Sequence, residues 1–198
     1  MSGSVSITAQ EALERLKEGN EIYASGHYDR TFTVDDIIDL DENGQHPFAA
    51  VITCSDSRVP PELIFDCTLG EIFTIRSAGN VLSDYEIGSA EYAAAHLHTP
   101  LIVVLGHRHC GAVASCCEDH ADVPGHLLHL LQEIEPSVKI AREIAARTGE
   151  DVAELAENEN IRHSAEILKS NDVILRYPDV EIVMAKYDTH SGKVRFFD

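Results

Sequence analysis

Three short runs, Phe48 to Thr53, Glu71 to Ile75 and Leu101 to Leu105, constrain the fold of this 198-residue chain more than any other feature. Each is rich in Val, Ile or Phe and mostly apolar rather than alternating, which is the pattern of a strand buried on both faces of a sheet. Helical patterns separate them. Pro60 to Phe65 places proline in a first turn, and Asp84 to Leu97 carries Ile87, Ala90, Ala94 and Leu97 at helical spacing. A small-residue helix start follows Gly111, then Pro124 to about Arg147 with Leu127, Leu128, Leu131, Ile134, Val138 and Ile144, then, after Gly149, a further helical stretch to about Lys169. Glu181 to Tyr187, a turn at Ser191-Gly192 and Val194 to Phe197 read as a strand and terminal hairpin. Strand and helix alternate, so the fold class is α/β, with a mainly parallel central sheet flanked by helices.

Ahead of the sheet, Thr8 and Glu11 make a T-x-x-E capping box, with Leu13, Leu16 and the Ile22/Tyr23 pair on an apolar stripe, which predicts an N-terminal helix. Residues 29 to 47 are acidic and end in Asn43-Gly44, and read as a loop with one short helical turn over Val34 to Leu40. No repeat divides the chain, and its length suits one domain with an appended arm.

Charge excludes some partners. Lys plus Arg number 15 against 34 Asp plus Glu, a net charge of −19, which disfavours nucleic acid and anionic membranes; a salt-adapted surface and an ordinary acidic one both fit. MSGSVSITAQ has no basic region followed by an apolar run, and no stretch of about 18 apolar residues occurs. The expectation is a cytoplasmic protein without leader or membrane span. Five cysteines (Cys54, Cys67, Cys110, Cys116 and Cys117), unevenly spaced, then argue for metal binding or catalysis over a disulfide framework.

Cys54 opens Cys54-Ser55-Asp56-Ser57-Arg58 just past the first strand, and His107 and Cys110 lie just past another. Ligands bind at the carboxyl ends of strands in open α/β sheets. Two thiolates and an imidazole suit zinc, and three protein ligands leave a fourth tetrahedral position open, as in catalytic sites. On the H-x-x-C spacing alone, two buried cysteines and a loop histidine account for these residues equally well; their meeting at strand ends favours the metal. Asp56 can either coordinate that metal or accept a hydrogen bond from water on it, and a bidentate pairing with Arg58 would turn the carboxylate away from the metal.

The motifs C-x-D-S-R-V from Cys54, R-x-x-x-N-V from Arg76 to Val81 and G-H-x-x-C-G-A from Gly106 together resemble the β-class carbonic anhydrases. The likeness covers about residues 8 to 198 and includes Asn160-Ile161-Arg162. It implies zinc held by Cys54, His107 and Cys110, with Asp56 and Arg58 as an orienting dyad. The chain would be one such domain over 1–198, with a helical arm and connector over 1–45 and a zinc-binding core over 46–198. The family dimerises through exchanged N-terminal arms and often builds tetramers.

The sequence is also similar to the plant-like subgroup. That likeness assigns the substrate pocket to Gln45, with Phe73 and Tyr92 contributed by the neighbouring subunit. The implied reaction is reversible hydration of carbon dioxide to bicarbonate and a proton, by zinc-bound hydroxide that Asp56 orients. The substrate would rest against Phe73 and Ala78, with Gln45 donating to an oxygen. The other subgroup closes aspartate onto zinc at low pH using a tryptophan, and this chain has none. Arg108-His109 between the ligands is bulkier and more basic than the family's usual pair, and Asn80 to Glu86 is shorter than in plant forms. His109 reads as a solvated loop residue, and Cys67, Cys116 and Cys117 as structural. Two rival readings are a hydrolase of carbon disulfide or carbonyl sulfide, and a non-catalytic zinc module closed by Asp56.

Overall fold

A computed structural model describes residues 7–28, 30–118, 120 and 122–197; the first six residues, which the leader reading used, lie outside the described residues. The three apolar runs become β1 (Ala49–Cys54), β2 (Ile72–Ser77) and β3 (Leu101–His107), joined by β4 (Glu181–Tyr187) and β5 (Val194–Phe197). They form one sheet in the order β2-β1-β3-β4-β5, parallel throughout except for the β4–β5 hairpin. Every residue of β1 and β3 is buried, which is why these central strands are apolar except for Thr53 and the terminal His107.

Among the described residues the α-helices are α1 (Ala9–Ala24), α2 (Val34–Asn43), α3 (Pro61–Ile64), α4 (Asp84–Ala95), α5 (Gly111–Cys117), α6 (His126–Thr148) and α7 (Val152–Lys169). Ala49, Val51, Leu101, Val103 and Leu105 point to one face and pack with Ala12 and Leu16 of α1 and with Ile64 and Phe65 at α3. Ala50, Ile52, Ile102 and Val104 point to the other and pack with Ala90, Ala93 and Ala94 of α4 and Ile161, Ala165 and Leu168 of α7. A third cluster, formed by α5, α6 and α7, closes over Cys54 and Cys110. Among the described residues, no helix is long and apolar enough to cross a membrane.

The Thr8–Glu11 capping box starts α1 as the sequence predicts. The acidic connector differs from its reading. Its helix starts at Val34, behind a second capping box of Thr33 and Asp36, and runs three residues beyond the predicted turn to Asn43, where Gly44 at φ +80 closes it with its N–H on the Leu40 carbonyl. Nor does α1 hang free. Asn20 donates to the carbonyls of Ile64 and Gly192 at 3.1 and 2.9 Å and accepts from the Val194 amide at 2.7 Å, fastening α1 to both α3 and the hairpin.

Gly19 makes that docking possible, since a Cβ there would sit 1.9 Å from the Phe65 carbonyl oxygen. Relief would require two backbone segments to part. Gly19→Ala is therefore expected to lower the unfolding free energy by about 3 kcal/mol, seen as a lower urea midpoint at unchanged slope. An unchanged midpoint would show that α1 does not pack this closely.

Candidate metal centre

The strands carry the site residues further than the sequence reading places them. Pairing of Cys54 with Ser77 and of His107 with Tyr187 continues the ladder, so both ligand candidates are final strand residues rather than loop residues. Cys110 follows on a tight turn, with His109 at φ +56, and immediately precedes α5. Among the described residues, Cys54, His107 and Cys110 form the group able to hold a metal, their donor atoms all within 4.8 Å of one another. All three are buried.

Their geometry fits zinc. The two Sγ atoms are 4.0 Å apart, against about 3.8 Å expected for two sulfurs at about 2.3 Å on a tetrahedral ion. His107 Nδ1 lies 3.0 Å from the Arg108 carbonyl, which only accepts, so Nδ1 carries the proton and Nε2 offers a lone pair. Nε2 is buried without a hydrogen-bond partner. An orphaned nitrogen facing two thiols is what a metal ligand looks like without its ion.

One thiolate forms readily. The Cys54 thiol is drawn down to about 4, first by its hydrogen bond from Cys110, and further by His107 and the amides of Asp56 and Gly79. Those amides lie 3.4 and 3.2 Å from its sulfur. Gly79, at φ +68, turns its N–H inward in the turn after β2. Cys110 is pushed upward by that same thiolate and by burial, so without a cation the pair shares a proton. A dication removes the obstacle, since a coordinating thiol is deprotonated outright.

Asp56 is held beside this group, not within it. Its Oδ1 accepts from the Arg58 amide at 2.9 Å and Nε at 3.0 Å, and its Oδ2 accepts from Nη2 at 2.7 Å. Oδ2 also stands 4.0 Å from His107 Nε2. The Arg58 fork keeps the Asp56 carboxyl at about 2, against partial burial that acts the other way. Arg76, which the sequence reading noted only as part of a motif, organises the turn. It donates to the Cys54 carbonyl at 3.1 and 3.0 Å and to the Asp56 carbonyl at 2.7 Å. Asn160 of α7 donates to the Gly79 carbonyl at 2.7 Å.

The remaining residues divide. Ala78 sits at the metal end, next to Gly79 in the turn after β2. Phe73 is second in β2, four residues and about 13 Å along the strand from the level of Cys54. Tyr92 packs near it at a ring separation of 6.1 Å, and Gln45 is exposed four residues ahead of β1. Gln45, Phe73 and Tyr92 thus lie toward the amino ends of the strands, and one chain does not bring them to Cys54. His109 is exposed. Cys67 and Cys116 are buried and donate to the carbonyls of Phe65 and Leu131, both at 3.3 Å; burial raises them to about 12 and 11. Neither joins the metal group.

Fold and site together define a mainly parallel α/β protein with a two-cysteine, one-histidine group at its strand ends that is able to hold a metal. A family model described as carbonic anhydrase matches residues 49–194. Carbonic anhydrase 2 of Mycobacterium tuberculosis is 42% identical over 135 residues, covering 66% of this chain and 65% of that protein. The structure described as the beta-carbonic anhydrase CcaA superposes with a TM-score of 0.75 at 30% identity, covering 96% of this chain and 94% of that one. A chain from one of two beta-carbonic anhydrases of Sordaria macrospora, described as tetrameric, gives 0.73 at 25% identity over 83% and 87%. The chain belongs to the carbonic anhydrase family, in its β class, and zinc is the cofactor that its metal group fits. The match spans just under two thirds of the length of the mycobacterial relative.

Proposed function

We propose that this chain catalyses the reversible hydration of carbon dioxide to bicarbonate and a proton, with zinc held by Cys54, His107 and Cys110. The observation that carries the reading is the bidentate grip of Arg58 on Asp56. It turns the carboxylate aside from Cys54, His107 and Cys110, so that a metal held by those three would keep a fourth position for water. Zinc supplies a Lewis acid that makes water nucleophilic near neutral pH. Asp56, ionised above about pH 3, accepts an O–H of the attacking water and fixes the direction of its lone pair. Arg58 keeps that acceptor charged and oriented. The same grip favours an enzyme over a structural module closed by aspartate.

The pocket is completed by a second copy of the chain. Phe73 and Tyr92 lie together toward the sheet end opposite Cys54, where a symmetric partner can present them to the other centre, to complete the pocket with Gln45. Phe32, Val34, Ile37 and Ile38 leave an apolar stretch exposed at α2, which supplies the surface for exchanging the arm. The relative from Sordaria described as tetrameric supports this assembly. Gln45 and the absence of tryptophan support the plant-like subgroup. The bounds of arm and core at 45/46 and a cytoplasmic location belong to the same proposal.

Stopped-flow carbon dioxide hydration from about pH 6.5 to 9, with zinc assayed on the same preparation, tests the reading. Turnover should rise through a single pKa with about one zinc per chain. Asp56 should add no titration step in that window: its lowered pKa stabilises the folded state above the ordinary carboxylate value of about 3.9, and that stabilisation is lost as pH falls through about 2. Full zinc without turnover on carbon dioxide would overturn the proposal and direct the test to carbon disulfide.

A further inference from the structure

The peptide unit that precedes Cys110 is held from both sides. Its carbonyl, belonging to His109, accepts from Arg58 Nη2 at 3.1 Å, and its N–H, belonging to Cys110, donates to Glu157 Oε1 at 3.1 Å. Arg58 is already tied to Asp56, so one side of this clamp belongs to the dyad. The other side comes from α7, 47 residues further along the chain.

Glu157 has no ordinary reason to be where it is. It is a carboxylate on the buried side of α7, 6% exposed, at a position where packing alone would favour an apolar residue. Its charge is met by Lys186 of β4, itself only 9% exposed, whose Nζ lies 2.7 Å from Oε2. Lys186 also donates to Asn158 Oδ1 at 3.0 Å and to the Glu154 carbonyl at 3.4 Å. Replacing a buried ion pair with apolar side chains of similar size is often neutral or stabilising, so stability alone does not explain this one. What it supplies is a fixed acceptor for one buried amide.

That amide needs it. The turn from His107 to Cys110 is short, and His109 adopts a left-handed conformation that a residue with a Cβ seldom takes without outside support. Cys110 caps α5 with its backbone alone, having no side-chain cap bond. Without Glu157 its N–H would be buried and unpaired, and the turn could relax by swinging the Cys110 sulfur away from Cys54 and His107. We propose that Glu157, fixed by Lys186, is a positioning residue that sets the place of Cys110 in the metal group.

This inference rests on the reading of Cys54, His107 and Cys110 as the zinc ligands, and its test reads zinc affinity rather than turnover. Zinc dissociation constants would be measured by chelator competition for the unmodified protein and two double variants. Glu157→Gln with Lys186→Met removes both charges but keeps an acceptor at the same reach. Glu157→Leu with Lys186→Met removes the acceptor as well. The first should bind zinc within about threefold of the unmodified protein, and the second about 10- to 100-fold more weakly.

Equal affinities for both would reduce Glu157 to a packing residue and overturn the proposal. Equal losses in both would assign the effect to charge and overturn it as well. Glu157→Asp keeps the charge opposite Lys186 while drawing the acceptor back by one methylene, so it decides the matter if the Leu/Met variant does not fold: unchanged affinity refutes the role, and a loss of about tenfold supports it. An unmodified protein that binds no zinc, or binds it equally well after Cys110→Ser, would instead refute the ligand assignment on which the inference stands.

Discussion

Replacing Asp56 with asparagine is expected to leave zinc bound at about one per chain while lowering kcat for carbon dioxide hydration by about a hundred- to ten-thousandfold. The separation of the two effects follows from the geometry. Asp56 is not one of the three residues whose donor atoms cluster, so its replacement removes no ligand. It does remove the acceptor. An amide offers Arg58 one oxygen instead of two, and its NH2 group meets the Arg58 guanidinium with a donor where a carboxylate oxygen now accepts at 2.7 Å. The asparagine then turns, and the attacking water loses the charged acceptor that fixes its orientation. Arg58 itself should stay in place, because Nη2 also reaches the His109 carbonyl. Zinc content and kcat measured on one preparation check this, and unchanged turnover at full zinc would remove Asp56 from the mechanism.

Cys110→Ser is expected to abolish both metal and activity. A serine hydroxyl does not ionise near neutral pH, so the two-thiolate, one-imidazole set becomes one thiolate and one imidazole with a weak neutral donor. Zinc should fall below about one-tenth per chain after dialysis, and turnover should fall in proportion. Stability should fall too, because ligand that binds only the folded state contributes about 4 kcal/mol when present at a thousandfold its dissociation constant. The metal-free unmodified protein is the proper reference: the variant should melt near it, and far below the zinc-loaded form. Stoichiometric zinc in Cys110→Ser would mean that another side chain completes the group.

Much of this was legible in order along the chain. The continuous apolar runs of β1 and β3 announce burial on both faces, and the Thr8–Glu11 box marks the start of α1 within the residues that form it. The candidate ligands and the Asp56–Arg58 pair were legible because each sits in a short motif: Cys54, Asp56 and Arg58 span five residues, and His107 and Cys110 span four. The ends of the strands were less so. Whether Cys54 and His107 belong to strand or loop depends on what lies beside them, and it is Ser77 and Tyr187 that keep them in the ladder. The helix at Val34–Asn43 was read short because its added residues Asp41, Glu42 and Asn43 are polar and carry no apolar period, while the Asn43–Asp39 hydrogen bond and the Gly44 cap that extend it appear only in the structure.

The sequence by itself determined the order of strands and helices, the α/β class and the identity of the metal group, because hydrophobic period and motif spacing are local properties. Tertiary structure alone decided which residues hold those ligands in place. Glu157 and Lys186 are 29 residues apart, and Glu157 reaches an amide 47 residues before it; Asn160 reaches Gly79 across 81. A buried amide takes whichever acceptor the packing of α7 against β3 and β4 brings within about 3 Å. No spacing in the chain encodes that proximity, since it exists only once α7 has closed over the sheet.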